Sequence, residues 1–320
     1  MPFEFSNSLS DITHFIYFSV HLLENPLLSL PLLSTQFTVF RTSAGKCASS
    51  PRHNLLQLSY QVQSVLKNIV RDWSDMGTTE REQCYKPILD EMEDRFSLDE
   101  FSDRSQVRVL VPGAGLGRLA WEVAARGYTC QGNEFSLFML FASNFILNRC
   151  TEINKYTVHP WVHQYVNNIT CEHQLISARF PDVCPSGNRP NHNFSMTAGD
   201  FLKVYTEADE WSCVATCFFI DCAPNVIEFI ERIYMILQPG GFILTIHYFC
   251  PQKEQTGVKT KYAQNPHSMM QHEYDSVFFV CRKPYCMLLL SHSCATLAQQ
   301  LRHCCTAVAP LLLHSYAGVS

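Results

Sequence analysis

Apolar positions along this chain follow two rhythms. Between His53 and Asp94 they recur every three or four residues. Leu55, Leu58, Val62, Val65, Leu66, Ile69 and Val70 fall at helix spacing. Gly77 and Thr78 predict a break over Ser74–Arg81, and a second helix is predicted over Thr79–Phe96, with Tyr85, Ile88, Leu89 and Met92 on one side. From Val107 the rhythm changes to short apolar runs separated by helical stretches. Val107–Val111 reads as a buried strand, Gly113–Gly117 as a tight loop, and Leu119–Arg126 as a helix ended by Gly127. Strands are predicted at Tyr128–Gly132, Phe194–Ala198, Ser212–Ile220 and Gly241–His247. Helices are predicted at Leu137–Asn148, from Phe201 to Tyr205, and at Asn225–Leu237. Asn154–Ser195 is polar and rich in Pro, Asn and His, as expected of a long insertion, and Val277–Val280 is a further strand.

Strands that alternate with helices predict an α/β fold: a mostly parallel, Rossmann-like sheet with helices on both faces, preceded by an N-terminal helical region. Ligands of such sheets bind beyond the carboxyl ends of the strands. The expected division is 1–54 without sustained periodicity or an assignable role, 55–104 helical, 105–284 α/β, and 285–320 a tail without a motif.

Composition narrows the partners. A net charge of −5 argues against nucleic-acid binding, which needs a basic face to neutralise phosphates. The apolar stretch Phe15–Phe40 is broken by Glu24, Asn25, Pro26 and Pro31, too early to span a bilayer. It leaves surface contact as the remaining membrane alternative. The opening residues include Glu4 and lack the basic start of a secretory signal. The 15 cysteines are odd in number, show no CxxC pair and often sit in apolar runs. That pattern predicts buried free thiols in a reducing cytosol, with no zinc site. No Lys/Arg cluster directs nuclear entry, which stays open.

The loop after the first strand reads Val111-Pro-Gly113-Ala-Gly115-Leu-Gly117-Arg118. A dinucleotide loop is GxGxxG, whereas this one is GxGxG. The shorter spacing suits close backbone approach to S-adenosylmethionine (SAM), which carries no phosphate. Glu134, at the end of the second strand, can accept both ribose hydroxyls. Asp200, after the third, can accept the adenine amino group with Phe201 packed on the ring. The turn Leu237-Gln-Pro-Gly-Gly241 precedes the last strand, as in many SAM methyltransferases. For Glu134 and Asp200 the alternative role is a helix N-cap.

Longer strings carry a family resemblance. Pro112-Gly-Ala-Gly-Leu-Gly-Arg-Leu-Ala-Trp-Glu122, Gln131-Gly-Asn-Glu-Phe-Ser136, Ser143-Asn-Phe145, Asn193-Phe-Ser-Met-Thr-Ala-Gly-Asp-Phe201, Phe218-Phe-Ile-Asp221 and Val70-Arg-Asp-Trp73 closely resemble the carnosine N-methyltransferases. The resemblance runs from about Leu66 to Ile246 and resumes from about Tyr262 to Pro284. It implies methyl transfer from SAM to an imidazole nitrogen of carnosine, giving anserine, by a homodimer. Other histidine-containing peptides are open as substrates. By resemblance Gly113, Glu134, Asp200, Phe201 and Cys217 bind SAM. Arg71 would grip the methionine carboxylate, its alternative being a surface ion pair. Asn68 stands where the family has glutamine. Gly115 belongs to the same loop.

Imidazole methylation needs a neutral ring nitrogen as nucleophile and a carboxylate on the opposite N–H to orient the ring and stabilise its growing charge. Asp221 is the candidate, with a cap on the following helix as the alternative. Tyr262 and Tyr274 match two carnosine-binding tyrosines, and a third such position holds His272. The chain departs from the family after the last parallel strand, where several tens of family residues are absent. His247 substitutes for the substrate histidine only in a forced alignment. The loss predicts an unpaired strand edge and uncovered apolar surface. Two alternatives to the active enzyme follow: a SAM-binding but catalytically silent variant, and a nicotinamide-dependent oxidoreductase, against which the glycine spacing weighs.

Overall fold

The computed structural model describes residues 51–97, 103–186, 193–249, 258–261 and 264–285. Residues 1–50, with Phe15–Phe40 among them, and residues 286–320 lie outside them. Among the described residues three helices come first: α1 (Pro51–Trp73), α2 (Thr78–Cys84) and α3 (Lys86–Arg95). Leu66, Ile69, Val70 and Trp73 of α1 are buried, as the helical stripe requires. The break after α1 is shorter than predicted, a single turn over Asp75–Gly77. Gly77 allows it: a Cβ there would stand 2.1 Å from the Arg71 carbonyl oxygen. The second predicted helix is two, parted at Tyr85. Pro87, in the first turn of α3, has no N–H to return to the preceding turn, so the ladder cannot run through.

Seven strands form the main sheet: β1 (Arg108–Pro112), β2 (Thr129–Glu134), β5 (Phe194–Ala198), β6 (Trp211–Cys217), β7 (Leu237–Phe249), β8 (Val258–Thr260) and β9 (Tyr274–Arg282). Their order is β5-β2-β1-β6-β7-β9-β8. The first five are parallel to their neighbours and β9 runs antiparallel between β7 and β8. The polar insertion is not featureless, since β3 (Tyr156–Val158) and β4 (Ala178–Phe180) pair within it as a separate hairpin-like unit. The remaining helices are α4 (Arg118–Ala125), α5 (Leu137–Arg149), α6 (Phe201–Val204) and α7 (Val226–Ile236), the last capped by Asn225.

Neighbouring residues of the central strands bury into opposite faces. Val109, Val111, Cys213, Ala215 and Leu244 pack with Ile88, Met92, Leu119 and Val123. Leu110, Val214 and Ile243 pack with Phe201, Phe229, Ile233 and Ile236. Helices therefore cover both faces, and the predicted fold class is the observed one. Two strand limits differ from prediction. β6 ends at Cys217, because Phe218 turns to φ +52 with its N–H bonded to the Ile246 carbonyl and its ring in the core. β7 begins at Leu237, with a register shift opposite Trp211–Cys213 that absorbs the Pro-Gly-Gly segment.

The predicted unpaired edge is not present at β7. β9 pairs with it from Phe242 to Phe249, and the outer position passes to the three-residue β8. A short edge strand exposes few backbone groups. The predicted apolar exposure is partly retained, since Val277, Phe278, Phe279, Val280 and Cys281 of β9 are all only half-buried.

A buried ionic cluster joins the helical region to the α/β unit. Asp182 accepts from Arg118 Nη1 at 2.6 Å and from Arg81 Nη2 at 2.7 Å, and the Arg118 guanidinium lies over the rings of Trp73 and Trp121. Among the described residues no helix is long and apolar enough to cross a membrane, and no group of three His, Cys, Asp or Glu side chains could hold a metal ion. Cys84, Cys130, Cys150 and Cys213 are buried free thiols, and burial pushes Cys150 up to about 12. Removing one partner of a buried ionic cluster strands the others, so Asp182→Ala should cost about 3–5 kcal/mol. Urea unfolding with an unchanged m-value is the check.

Candidate active site

The strands of the sheet deliver their functional side chains to one edge. β1 ends at Pro112 and opens into the glycine loop, in which Gly113, Gly115 and Gly117 take φ of +66°, +54° and +82°. Side-chain-bearing residues pay for such angles. The loop is pinned to β2 by the Ala114 N–H, which donates to the Asn133 carbonyl at 2.8 Å. Gly113 is held by packing as well: a Cβ would meet Phe219 Cδ2 at 2.6 Å. Gly115 differs, because nothing stands within 4 Å of where its Cβ would be. The open space needed by a close-lying ligand is therefore at the middle glycine.

Glu134, the last residue of β2, closes over this loop. One carboxylate oxygen accepts from the Gly115 N–H at 2.8 Å, the other from Phe135 N–H at 2.8 Å and Ser136 N–H at 2.7 Å. It is not the cap of α5, a role taken by Ser136. Asp200 follows β5 beside it, since Gly199 N–H donates to the Glu134 carbonyl. Here the capping alternative is what the structure contains: Asp200 caps α6 through the Leu202 N–H at 3.1 Å and pairs with Lys203 at 3.4 Å.

Phe201 does not offer a ring face to the loop. It is buried among Tyr205, Phe219 and Phe229, with ring centres 5.4–5.7 Å away. Its neighbour Phe219 is the ring that backs Gly113, so Phe201 supports the loop from behind. An exposed aromatic does stand at this edge: Phe135, 75% exposed directly after Glu134. Sequence reasoning passed over it. The available signal was an aromatic at a strand tip, immediately after the acid and before a capping serine.

Cys217 ends β6 next to the Cys84 thiol, with Arg71 and Asp72 close enough to act on it electrostatically. Burial, and then the Cys84 hydrogen bond, hold its thiol well above the usual range, which suits a wall of the site and not a nucleophile. Arg71 is largely buried and paired with Asp72 at 2.7 Å, so it is no surface ion pair. Asn68 is buried and spends its amide N–H on the Ser64 carbonyl within α1, at 2.9 Å.

Asp221 is exposed in the turn Ile220–Cys222, beyond the end of β6 and not at the strand tip itself. Its charge and that of Glu134 both act on the neighbouring Cys222 thiol, which desolvation and these two carboxylates push up to about 11. Both acids therefore lie within electrostatic reach of the Cys222 thiol. The helix after this turn is capped by Asn225, so Asp221 is not serving as its cap. His247 lies in β7 opposite Val277, near the same edge. Tyr274 opens β9 there, 37% exposed and stacked on His272 at 6.4 Å. Tyr262 lies outside the described residues.

With this geometry, relatives become informative. A model of the carnosine N-methyltransferase family matches residues 49–248. The chain belongs to that family. The match starts upstream of Leu66, so it takes in all of α1, and it ends before β8 and β9. Carnosine N-methyltransferase unmet of Drosophila melanogaster is 51% identical over 253 residues, covering 70% of this chain and 55% of that protein. Carnosine N-methyltransferase of Mus musculus is 47% identical over 253 residues, with 70% and 63% covered. That of Schizosaccharomyces pombe is 44% identical over 198 residues, with 61% and 53% covered. The chain thus spans about half to just under two thirds of the length of these relatives. The 253 aligned positions exceed 70% of a 320-residue chain, so the alignment includes positions this chain lacks.

The two loop glycines should respond differently to alanine. Gly113→Ala adds a clash to an unfavourable φ and should cost about 3 kcal/mol. Gly115→Ala carries the backbone cost alone, about 1 kcal/mol. Paired chemical denaturation curves measure the difference.

Proposed function

We propose that this chain uses SAM to methylate an imidazole nitrogen of the histidine in carnosine, giving anserine. One observation carries the proposal: in a member of this family, the open face of Gly115, the Glu134 carboxylate and the Asp221 turn come to the same edge of the sheet. The open space at Gly115 fits a ligand lying against the loop. When bound, SAM supplies an electrophilic methyl group on a sulfonium.

The protein's part is to bind, orient and exclude. Glu134 gives up N–H partners of the glycine loop and of the turn after β2 to take the ribose hydroxyls. Phe135 offers its exposed ring to the adenine face, in place of the buried Phe201. Asp200 receives the adenine amino group on the oxygen it shares with Lys203. Arg71 pairs with the methionine carboxylate as a charge-assisted contact, and Cys217 lines the floor. Asn68 supports α1 from within.

Asp221 accepts the N–H of the carnosine imidazole. That contact presents the other, neutral nitrogen to the methyl and stabilises the positive charge that develops on the ring. Alignment of this kind is worth about 7–11 kcal/mol of the barrier. Tyr274, His247 and Tyr262 hold the rest of the dipeptide, and other histidine-containing peptides fit the same chemistry. The helical region 55–104 and the α/β unit 105–284 work together, as a homodimer, in the cytosol with nuclear entry open.

Asp221→Ala should lower carnosine turnover by at least about 100-fold while leaving SAM affinity within about twofold. Glu134→Ala should weaken SAM by about 10- to 100-fold, the worth of hydrogen bonds to a charged group. Calorimetric titration with SAM followed by a carnosine methylation assay reads both. SAM binding without anserine formation in the unaltered chain would refute the activity. Full turnover in Asp221→Ala would refute the mechanism.

A further inference from the structure

The last turn of α1 contains an arrangement that helix stability opposes. Asp72, its penultimate residue, is fully buried. A carboxylate there faces the negative end of the helix dipole and loses its hydration. Two groups offset these costs. Arg71 donates from Nε at 2.7 Å and Nη2 at 3.2 Å to the two Asp72 oxygens. The Tyr85 hydroxyl donates to Asp72 Oδ1 at 2.8 Å and accepts from Arg71 Nη2 at 3.0 Å. The three side chains form a closed triangle. Consecutive helix residues point in different directions, so Arg71 must bend around the helix end to complete it. Burial also holds the Tyr85 phenol well above the usual tyrosine range, which keeps it a donor at physiological pH.

The triangle has a defined place. Trp73 Nε1 donates to the Leu116 carbonyl of the glycine loop at 3.2 Å, and Arg118 Nη1 donates to the Asp72 carbonyl at 2.9 Å. Arg71 and Asp72 both act on Cys217 at the tip of β6. The guanidinium is therefore fixed between the glycine loop and the β6 tip.

We propose that Asp72 and Tyr85 are positioning residues, which set the plane of the Arg71 guanidinium so that it can receive the carboxylate of the cofactor's amino-acid arm. This rests on Arg71 as the carboxylate contact. Tyr85 is placed for the task by the helix break at its own position, which turns its hydroxyl back to α1. A planar fork fixed in advance binds a carboxylate with less ordering cost than a mobile one.

The test uses the full chain and two ligands: S-adenosylhomocysteine, and 5′-methylthioadenosine, which lacks the amino-acid arm. Arg71→Ala should weaken the first and spare the second. Tyr85→Phe, which removes only a hydroxyl, should weaken S-adenosylhomocysteine by about 3- to 10-fold and leave 5′-methylthioadenosine within about twofold. It should have little further effect in the Arg71→Ala background, as coupled residues require. Asp72→Asn provides the same comparison should Tyr85→Phe prove unstable in a thermal melt. Equal weakening of both ligands, or additive losses in the double variant, would overturn the positioning role. If Arg71→Ala left S-adenosylhomocysteine affinity intact, the Arg71 contact itself would be wrong.

Discussion

The end of α1 rests on the glycine loop, and the site depends on that contact. Trp73 reaches the Leu116 carbonyl, and Arg118, the first residue of α4, returns a hydrogen bond to the Asp72 carbonyl. Arg118 is then stacked by Trp73 and Trp121 and neutralised by Asp182, which also holds Arg81 of α2. A buried cluster of this kind adds little net stability compared with an apolar replacement, but loss of one member is severe. The cluster ties residues of α1, α2, α4 and the insertion to one another. The helical region is thus bonded directly to the glycine loop and to the start of α4.

The sheet supplies the other half. Its order places β1 between β2 and β6, where the chain changes direction across the sheet, and a crevice forms at the carboxyl ends on either side of such a point. The glycine loop, Glu134, Asp200, Cys217, the Asp221 turn and Tyr274 all occupy that edge. Two acids, Glu134 and Asp221, act electrostatically on Cys222 at this edge, and the glycine loop is open at Gly115.

Much of this was legible in the sequence because it is local. The apolar runs around Val109, Cys130 and Val214 announce buried strands, the three glycines announce positive φ, and Asn225 announces a helix start. What escaped depends on distant partners. Period cannot report that Phe218 turns because its ring is needed in the core, or that Phe201 meets Phe219 and Phe229 and so has a buried ring. It cannot report that Asp200 spends an oxygen on α6. The edge expected at β7 was filled by β9, a pairing between segments that no local pattern encodes. The Arg71–Asp72–Tyr85 triangle was invisible for the same reason, joining the end of α1 to a residue beyond the Asp75–Gly77 turn, at the junction of α2 and α3.

The claim on which all else hangs is that SAM lies over the glycine loop, between Glu134 and the end of α1. Amide hydrogen exchange with and without SAM tests it most directly. Protection should rise at Gly113–Gly117, at Glu134–Ser136 and in the last turn of α1, with little change in β9. Protection confined to other elements, or none at saturating SAM, would contradict the account.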